Sequence, residues 1–302
     1  MKKCILVVLV IFLSVVVNQR LVCCEELGKL VVVHLCDPQL GMGGFDADLA
    51  RFEQAVRQVN QLSPDVVVIA GDMVNDIKSE REVVAIKGQI AKLKPPVLLT
   101  AGNHDLPDPV TAEGLERYRR IFGNDFNTLE CKGWVLISAN SQLWRKAPAG
   151  EVERHEKLLS ESLQKARRGN VYSSCFEIPE ADASVASRSD CSRAKPTAHT
   201  DIGIPIILIT HIPPFVSSAD EKDDYHNIPK IKRGELLEKF EQSGVIIWLS
   251  GHLHKTLKRK HGKITILNGE TTSKNFDKRP YGFRLLTIQP DKQFDWTFVP
   301  LK

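Results

Sequence analysis

Short runs of apolar residues recur along the chain, and their length is typical of buried strands rather than helices. The run from Leu30 to Cys36 is almost continuously apolar and rich in valine, which is the pattern of a strand covered on both faces. The same pattern predicts four further strands, at residues 65–70, 96–99, 205–210 and 245–250. Polar residues follow each run at once, so each predicted strand ends at a well-defined point.

The segments between these strands carry apolar residues at helical spacing. In residues 46–62, for example, Leu49, Phe52, Val56 and Val59 fall on one face, and Ser63-Pro64 ends the helix. The same criterion predicts helices at residues 80–93, 111–122, 151–168 and 230–242, and a hairpin of 127–131 with 134–140 that turns at Lys132-Gly133. Alternating strands and helices predict an α/β fold with parallel pairing. Glycine-punctuated short strands from 256 to 300 predict an antiparallel continuation.

The first 24 residues have the pattern of a secretory signal peptide. Lys2 and Lys3 precede an apolar run from Cys4 to Val17, which is too short to cross a bilayer comfortably. The expectation is an exported protein of residues 25–302 with no stable membrane span after cleavage near Cys23 to Glu26. The alternative is an uncleaved N-terminal membrane anchor.

The net charge argues against a nucleic-acid partner. The chain of 302 residues has 41 basic and 37 acidic residues, and removal of residues 1–24 would take away three basic residues and no acidic ones. The remainder would be almost neutral, and bulk electrostatic attraction to a polyanion needs an excess of positive charge. No sequence feature predicts an oligomeric state.

Residues 169–203 differ in composition from the rest of the chain. They are rich in serine and poor in large apolar residues, which predicts a long loop or an insertion that acts as a lid or has no role in function. Cys175 and Cys191 lie in this stretch, and in an exported protein they are candidates for a disulfide. Cys36 is expected to be a small buried apolar residue.

Residues of the types that commonly bind metal ions follow each of the predicted buried strands. Because the carboxyl ends of parallel strands form the ligand-binding edge of an open α/β sheet, these side chains are expected to converge. One such residue has a simple packing explanation, but a repeat at five strand ends does not. The set comprises Asp37, Asp72, Asn103 with His104, His211, and His252 with His254.

The residue types indicate the chemistry. Carboxylates, imidazoles and an amide oxygen without a thiolate suit divalent manganese, iron or zinc. Even six ligands from this set exceed the needs of one tetrahedral ion but suffice for two ions about 3.5 to 4 Å apart that share a carboxylate. Such a pair polarises a phosphoryl group and holds a hydroxide for in-line attack, so the expected substrate is a phosphoester.

These motifs resemble the calcineurin-like metallophosphoesterase family. The resemblance rests on Asp37-x-Gln39, Gly71-Asp72, Gly102-Asn103-His104-Asp105, His211 and Gly251-His252-x-His254. The stretches Asp37-Pro38-Gln39, Asn103 to Ala112, Asn140-Ser141-Gln142 and Asp220 to Tyr225 further resemble the subgroup of calcineurin-like phosphoesterase domain-containing proteins. The family implies a four-layer αββα sandwich with two mixed β-sheets. It also implies that Asp37 and His254 bind one ion, Asp72 bridges, and Asn103, His211 and His252 bind the other.

By the same resemblance, His104 is the general acid that protonates the leaving oxygen. A carboxylate is expected to orient it, and Asp76 and Asp105 are the two candidates. One residue departs from the family pattern, because Gln39 stands where many members have a histidine. It offers the first metal an amide oxygen or acts through a water molecule.

The expected function is phosphoester hydrolysis with two metal ions, with a phosphomonoesterase preferred. The alternatives are a phosphodiesterase on nucleotides or lipid head groups, and a binding protein on the same scaffold with weak turnover. The acidic stretch Asp220 to Asp224 is either a solvated loop or a rim that selects substrates or binds an extra cation.

Overall fold

The structure is a computed structural model that describes residues 27–169 and 203–302. Eleven strands, five α-helices and one 3-10 helix (Ser141–Trp144) are present in these residues. The strands are β1 (Leu30–Leu35), β2 (Val66–Ile69), β3 (Val97–Leu99), β4 (Asn127–Cys131), β5 (Trp134–Ser138), β6 (Ile206–Ile209), β7 (Val245–Ser250), β8 (Leu257–His261), β9 (Ile264–Asn268), β10 (Gly282–Ile288) and β11 (Phe294–Pro300). The helices are α1 (Phe45–Leu62), α2 (Glu80–Ile90), α3 (Ala112–Phe122), α4 (Ala149–Arg167) and α5 (Lys230–Gln242).

The strands form two mixed sheets. The first has the order β11-β10-β1-β2-β3, with β1, β2 and β3 parallel and β10 and β11 antiparallel. The second has the order β4-β5-β6-β7-β9-β8, with a parallel centre and an antiparallel pair at each edge. Helices connect the parallel strands β1 to β2, β2 to β3 and β6 to β7, as the strand–helix alternation predicts.

Alternate residues of the central strands face two different apolar layers. In β1, Val33 and Leu35 pack with Phe52 of α1 and with residues of α2 and α3. Val32 of the same strand lies between the sheets, where it shares a cluster with Ile207 of β6. A third cluster packs α4 and α5 against the outer face of the second sheet. The predicted four-layer αββα sandwich is therefore confirmed.

The predicted antiparallel continuation after residue 256 is confirmed for β8 with β9, β10 with β11 and β10 with β1, but it is wrong for β9 with β7. The residues after 256 do not simply continue one sheet in antiparallel fashion, because β9 pairs with β7 in parallel. The chain then returns to the first sheet, where β10 pairs with β1. Glycine and proline positions mark the breaks between strands correctly, but the choice of partner depends on long-range pairing that local sequence does not encode.

The predicted signal peptide and most of the serine-rich stretch lie outside the described residues. So do Cys175 and Cys191, the candidate disulfide pair. Cys36, which follows β1, is buried as expected. None of the helices within residues 27–169 and 203–302 is both long and apolar enough to cross a membrane.

Candidate metal centre

The predicted ligands lie at the carboxyl ends of strands from both sheets. Asp37, Asp72 and Asn103 follow β1, β2 and β3 of the first sheet. In the second sheet, His211 follows β6, and His252 and His254 follow β7. The two groups meet at one edge of the sandwich, so each sheet supplies about half of the site.

Several of these residues have a left-handed backbone conformation that side chains other than glycine seldom adopt. The φ angle is 44° at Asp37, 30° at Gln39, 49° at Asp72, 72° at His252 and 50° at His254. Each such residue costs about 1–3 kcal/mol and persists only where its surroundings enforce it. Their concentration at the strand ends marks this edge as a functional site.

Glycines next to the ligands allow the two sheets to approach closely. A Cβ atom at Gly71, where φ is +86°, would lie 2.6 Å from Nδ1 of His211. A Cβ atom at Gly251 would lie 2.6 Å from Oδ2 of Asp37. The absence of a side chain at these positions therefore lets ligands from opposite sheets share one small space.

Three ligand atoms of other residues converge on the imidazole of His211. Its Nε2 lies 3.0 Å from Oδ1 of Asn103, 3.2 Å from Nδ1 of His252 and 3.3 Å from Oδ2 of Asp72. Asp72, His211 and His252 each offer an atom within 4.8 Å of the other two. This arrangement matches the ligand set that the family resemblance implies for one ion.

A second group shares the carboxylate of Asp72. Asp37, Asp72 and His254 again offer atoms that all lie within 4.8 Å of one another, with 3.5 Å between Nε2 of His254 and Oδ1 of Asp37. Gln39 is buried beside them, and its Oε1 has no hydrogen-bond partner among the described residues. An unpaired buried amide oxygen is costly, so this atom fits a cation ligand.

The hydrogen bonds of the three histidines leave one lone pair each facing the carboxylates. Because a carbonyl only accepts, Nδ1 of His211 donates to Ala70, Nε2 of His252 donates to Tyr225, and Nδ1 of His254 donates to Lys274. The other nitrogen of each neutral ring is then unprotonated and ready to bind a metal ion. The facing lone pairs of His211 and His252 repel unless a positive charge lies between them.

The electrostatics of the buried carboxylates also require positive charge. Among the described residues, the ionic partners of Asp37 and Asp72 are histidines only. Burial disfavours protonation of His211, but Asp72 and Asp37 outweigh it and raise the pKa of His211 to about 9. Burial and the neighbouring His211 lower the pKa of His252 to about 3. In the metal-free protein, a proton on His211 supplies the positive charge that the two carboxylates need. The ligand groups around Asp72 also fit two divalent cations, which would supply that charge instead.

His104 lies beside this centre, and its ring is oriented by a carbonyl. Its backbone amide donates to Oδ1 of Asp72, and its Nδ1 donates to the carbonyl oxygen of Asn75 at 2.9 Å. Neither predicted carboxylate makes this contact. Asp105 accepts from the backbone amides of Met73, Val74 and Gly102, and Asp76 accepts from the amide of Lys78.

Asp105 therefore shapes the two loops that carry Asp72 and Asn103. Burial and the charge of Asp72 raise the pKa of Asp105 to about 7, while its backbone amide donors favour the charged form. Bound cations would reduce the repulsion from Asp72 and favour the charged form further.

Sequence reasoning missed two residues that hold the site. The carbonyl of Asn75 has no signature in the residue type, so nothing in the sequence could have identified it. Tyr225 contacts both Asn103 and His252. It ends the stretch Asp220 to Tyr225 that resembles the subgroup, but neither that resemblance nor the charge of Asp220 to Asp224 predicts a role for the tyrosine.

A shared carboxylate between two cation sites, at the junction of two mixed sheets, defines a dinuclear metallohydrolase. The chain belongs to the calcineurin-like phosphoesterase family, whose model matches residues 30–256. Members of this family depend on a dinuclear metal centre. The resemblance seen in the sequence motifs is thereby confirmed.

Curated relatives and a solved structure support the same assignment. The serine/threonine-protein phosphatase CPPED1 of Rattus norvegicus is 26% identical over 292 residues, covering 89% of this chain and 83% of the relative. The Homo sapiens protein of the same name is 25% identical over 298 residues, with the same coverage. A dimetal phosphatase from Danio rerio shares the fold with a TM-score of 0.53 at 12% identity, covering 92% of this chain and 100% of that one. The chain is therefore a metal-dependent phosphoric ester hydrolase, and the phosphatase prediction fits.

Proposed function

We propose that this protein is a metal-dependent phosphomonoesterase that acts on phosphoserine or phosphothreonine in proteins. The relatives named as serine/threonine phosphatases support this substrate class. The observation that carries it is an open cleft of about 460 Å³ that adjoins the metal ligands on the side of His104. A cleft of this size accommodates a serine or threonine leaving group with adjoining peptide residues.

The walls of the cleft suit a peptide that carries charged residues. Asn103 and His104 form the end next to the metal centre, and Leu106 provides an apolar surface. Lys78 and Arg117 also line it, and neither forms an ion pair within the described part of the chain. Asp76 and Glu113 lie in the same lining, so the cleft offers charges of both signs to the residues that flank the phosphorylated one.

The residues of this chain divide the work between metal binding and proton transfer. Because Nδ1 of His104 donates to the carbonyl of Asn75, Nε2 is the atom left to act on the leaving oxygen, and it can give a proton there when the ring is in its doubly protonated form. Asp37, Gln39, Asp72 and His254 would hold one cation, and Asn103, His211 and His252 with Asp72 the other. When bound, two divalent cations supply the positive charge that polarises the phosphoryl group. Manganese, iron and zinc all suit this mixture of oxygen and imidazole ligands.

Three substrates distinguish the proposal from its alternatives. Purified protein loaded with Mn²⁺ is incubated with p-nitrophenyl phosphate, bis(p-nitrophenyl) phosphate and a phosphoserine peptide. Release of phosphate from the peptide and the monoester, with little cleavage of the diester, supports the proposal. Cleavage of the diester alone would establish a phosphodiesterase instead. If none of the three is hydrolysed while two ions are bound, the protein is a binding protein.

We also propose that the protein is exported. The support is the sequence pattern of residues 1–24, with two lysines before a short apolar run. N-terminal sequencing of the protein isolated from its own source tests this: a mature N-terminus near Glu25 is expected, and a retained Met1 would favour the membrane anchor.

A further inference from the structure

The acidic stretch is part of a built loop, residues 216–228, which we call the Tyr225 loop. Glu221 accepts from the backbone amides of Val216 and Ser217 at 2.8 and 2.7 Å, and from Nδ2 of Asn227 at 2.7 Å. Asp224 accepts from the amide of His226 at 3.0 Å. Glu221 and Asp224 accept hydrogen bonds from the loop itself. They therefore stabilise the loop conformation rather than present two unbonded carboxylates to a substrate.

Two arginines hold the Tyr225 loop by hydrogen bonds to its backbone carbonyls. Arg145 donates to the carbonyl oxygens of Asp224 and Tyr225 at 2.9 and 2.7 Å. Arg233 is fully buried and donates to the carbonyls of Ala219, Glu221 and Ile228. A buried guanidinium is costly unless its N–H donors have hydrogen-bond acceptors. Because the carbonyls of the loop supply these acceptors, Arg233 favours this one conformation of the loop.

Tyr225 contacts two ligands of the same cation site through two different atoms. Its hydroxyl oxygen accepts from Nδ2 of Asn103 at 2.9 Å, and its carbonyl oxygen accepts from Nε2 of His252 at 2.9 Å. The ring centroids of Tyr225 and His252 are 4.7 Å apart, so the phenol also packs against the imidazole. One residue therefore fixes the orientation of both side chains.

These contacts determine which atoms face the cation. The amide of Asn103 can bind a metal ion through oxygen only, and the bond from Nδ2 to the tyrosine hydroxyl turns Oδ1 towards Nε2 of His211. The carbonyl of Tyr225 keeps the proton of His252 on Nε2, which leaves Nδ1 free as a ligand. Partners of this kind change metal affinity by about 10- to 100-fold in other metal sites.

We propose that Tyr225 is a positioning residue for the cation held by Asn103, His211 and His252, acting through its hydroxyl on Asn103. The proposal rests on the proposed function only in assuming that this centre binds two cations. Tyr225→Phe removes the hydroxyl and keeps the ring and the backbone carbonyl. It is expected to weaken one of the two metal sites while leaving the other unchanged.

The test is a calorimetric titration of metal-free protein with Mn²⁺. The Tyr225→Phe variant should lose about 10-fold in affinity at one site, while the metal-free variant melts at the wild-type temperature. Excess Mn²⁺ should restore its activity. Tyr281→Phe is the matched control, because the hydroxyl of Tyr281 makes no hydrogen bond among the described residues. It should bind both ions as the wild type does.

A double-mutant cycle separates this role from a general effect on the fold. Asn103→Ala removes the group on which the hydroxyl acts, so Tyr225→Phe should cause no further loss of affinity in that background. Equal Mn²⁺ binding by wild type and Tyr225→Phe, or an additive loss in the double mutant, would overturn the proposal. Hydrolysis is measured separately: weakened Mn²⁺ binding in a protein that hydrolyses no phosphoester would retain this inference and reject the proposed function.

Discussion

His104 is the residue whose removal should separate catalysis from metal binding. Its ring is held by a backbone carbonyl and is absent from both groups of converging ligand atoms. His104→Ala should therefore keep two bound ions and lower kcat by about 100-fold or more, because a positioned general acid contributes about 10²–10⁴-fold. Metal analysis and steady-state kinetics on the same preparation measure both.

The matched control for this variant is His261→Ala, at a histidine on β8 outside the site. It should retain the wild-type kcat. An unchanged rate in His104→Ala, with full metal content, would remove the proposed acid from the mechanism.

At the level of single residues, the sequence predicted side chains better than backbone partners. Asp37, Asp72 and the histidines were recognisable because their types suit metals and because they end strands. The partner of His104 was not recognisable, since any residue at position 75 would offer the same carbonyl. Gln39 departs from the family pattern, and only its buried, unpaired Oε1 shows that an amide oxygen is available to a cation.

At the level of elements, the site depends on close contact between the ends of strands. Gly102 follows β3, and a Cβ atom there would overlap the carboxylate and backbone nitrogen of Asp72. Gly102→Ala should therefore displace Asp72, reduce binding of both ions and lower the free energy of unfolding by about 1–3 kcal/mol. Urea denaturation and Mn²⁺ titration measure the two effects.

Gly88 provides the control for this substitution. It lies within α2, and a Cβ atom at this position would meet nothing within 4 Å. Gly88→Ala should leave metal binding unchanged and raise stability by about 0.5–1 kcal/mol through helix propensity. If Gly102→Ala behaves in the same way, the strand ends are not as closely packed as described.

Most helices and strands could be predicted from periodicity alone, and their order established the class of fold. The failure was confined to the last quarter of the chain, where β9 joins β7 in parallel. Local pattern defines a strand, but its neighbour is selected by burial across the whole sandwich. The same limit applied to Tyr225, whose distance along the chain from Asn103 and His252 hid their contact.

At the level of the whole molecule, two buried histidines should make stability fall in mild acid. Burial lowers the pKa of His34 and of His155 to about 4, against an ordinary value of 6.5. Between these values the unfolded chain binds more protons, so the stabilisation is complete above pH 6.5 and is lost as the pH falls towards 4.

The contribution of one histidine can be isolated by substitution. His155→Gln keeps a hydrogen-bond acceptor for the amide of Asn140 but does not titrate. Between pH 7 and pH 4.5, wild-type protein should lose about 1–3 kcal/mol more unfolding free energy than this variant, measured by chemical denaturation. Parallel pH profiles for the two proteins would contradict the assignment.

The two sheets contact each other through an apolar layer, and their ligands meet only at the edge that holds the metal centre. A pair of cations bound there would link the two sheets, because Asp72 comes from one sheet and His211 from the other. Ions that bind only the folded chain stabilise it by mass action, with about 1.4 kcal/mol per ion for each tenfold rise in free metal above the dissociation constant. Removal of the metal with a chelator would therefore lower the melting temperature of the protein as well as its activity.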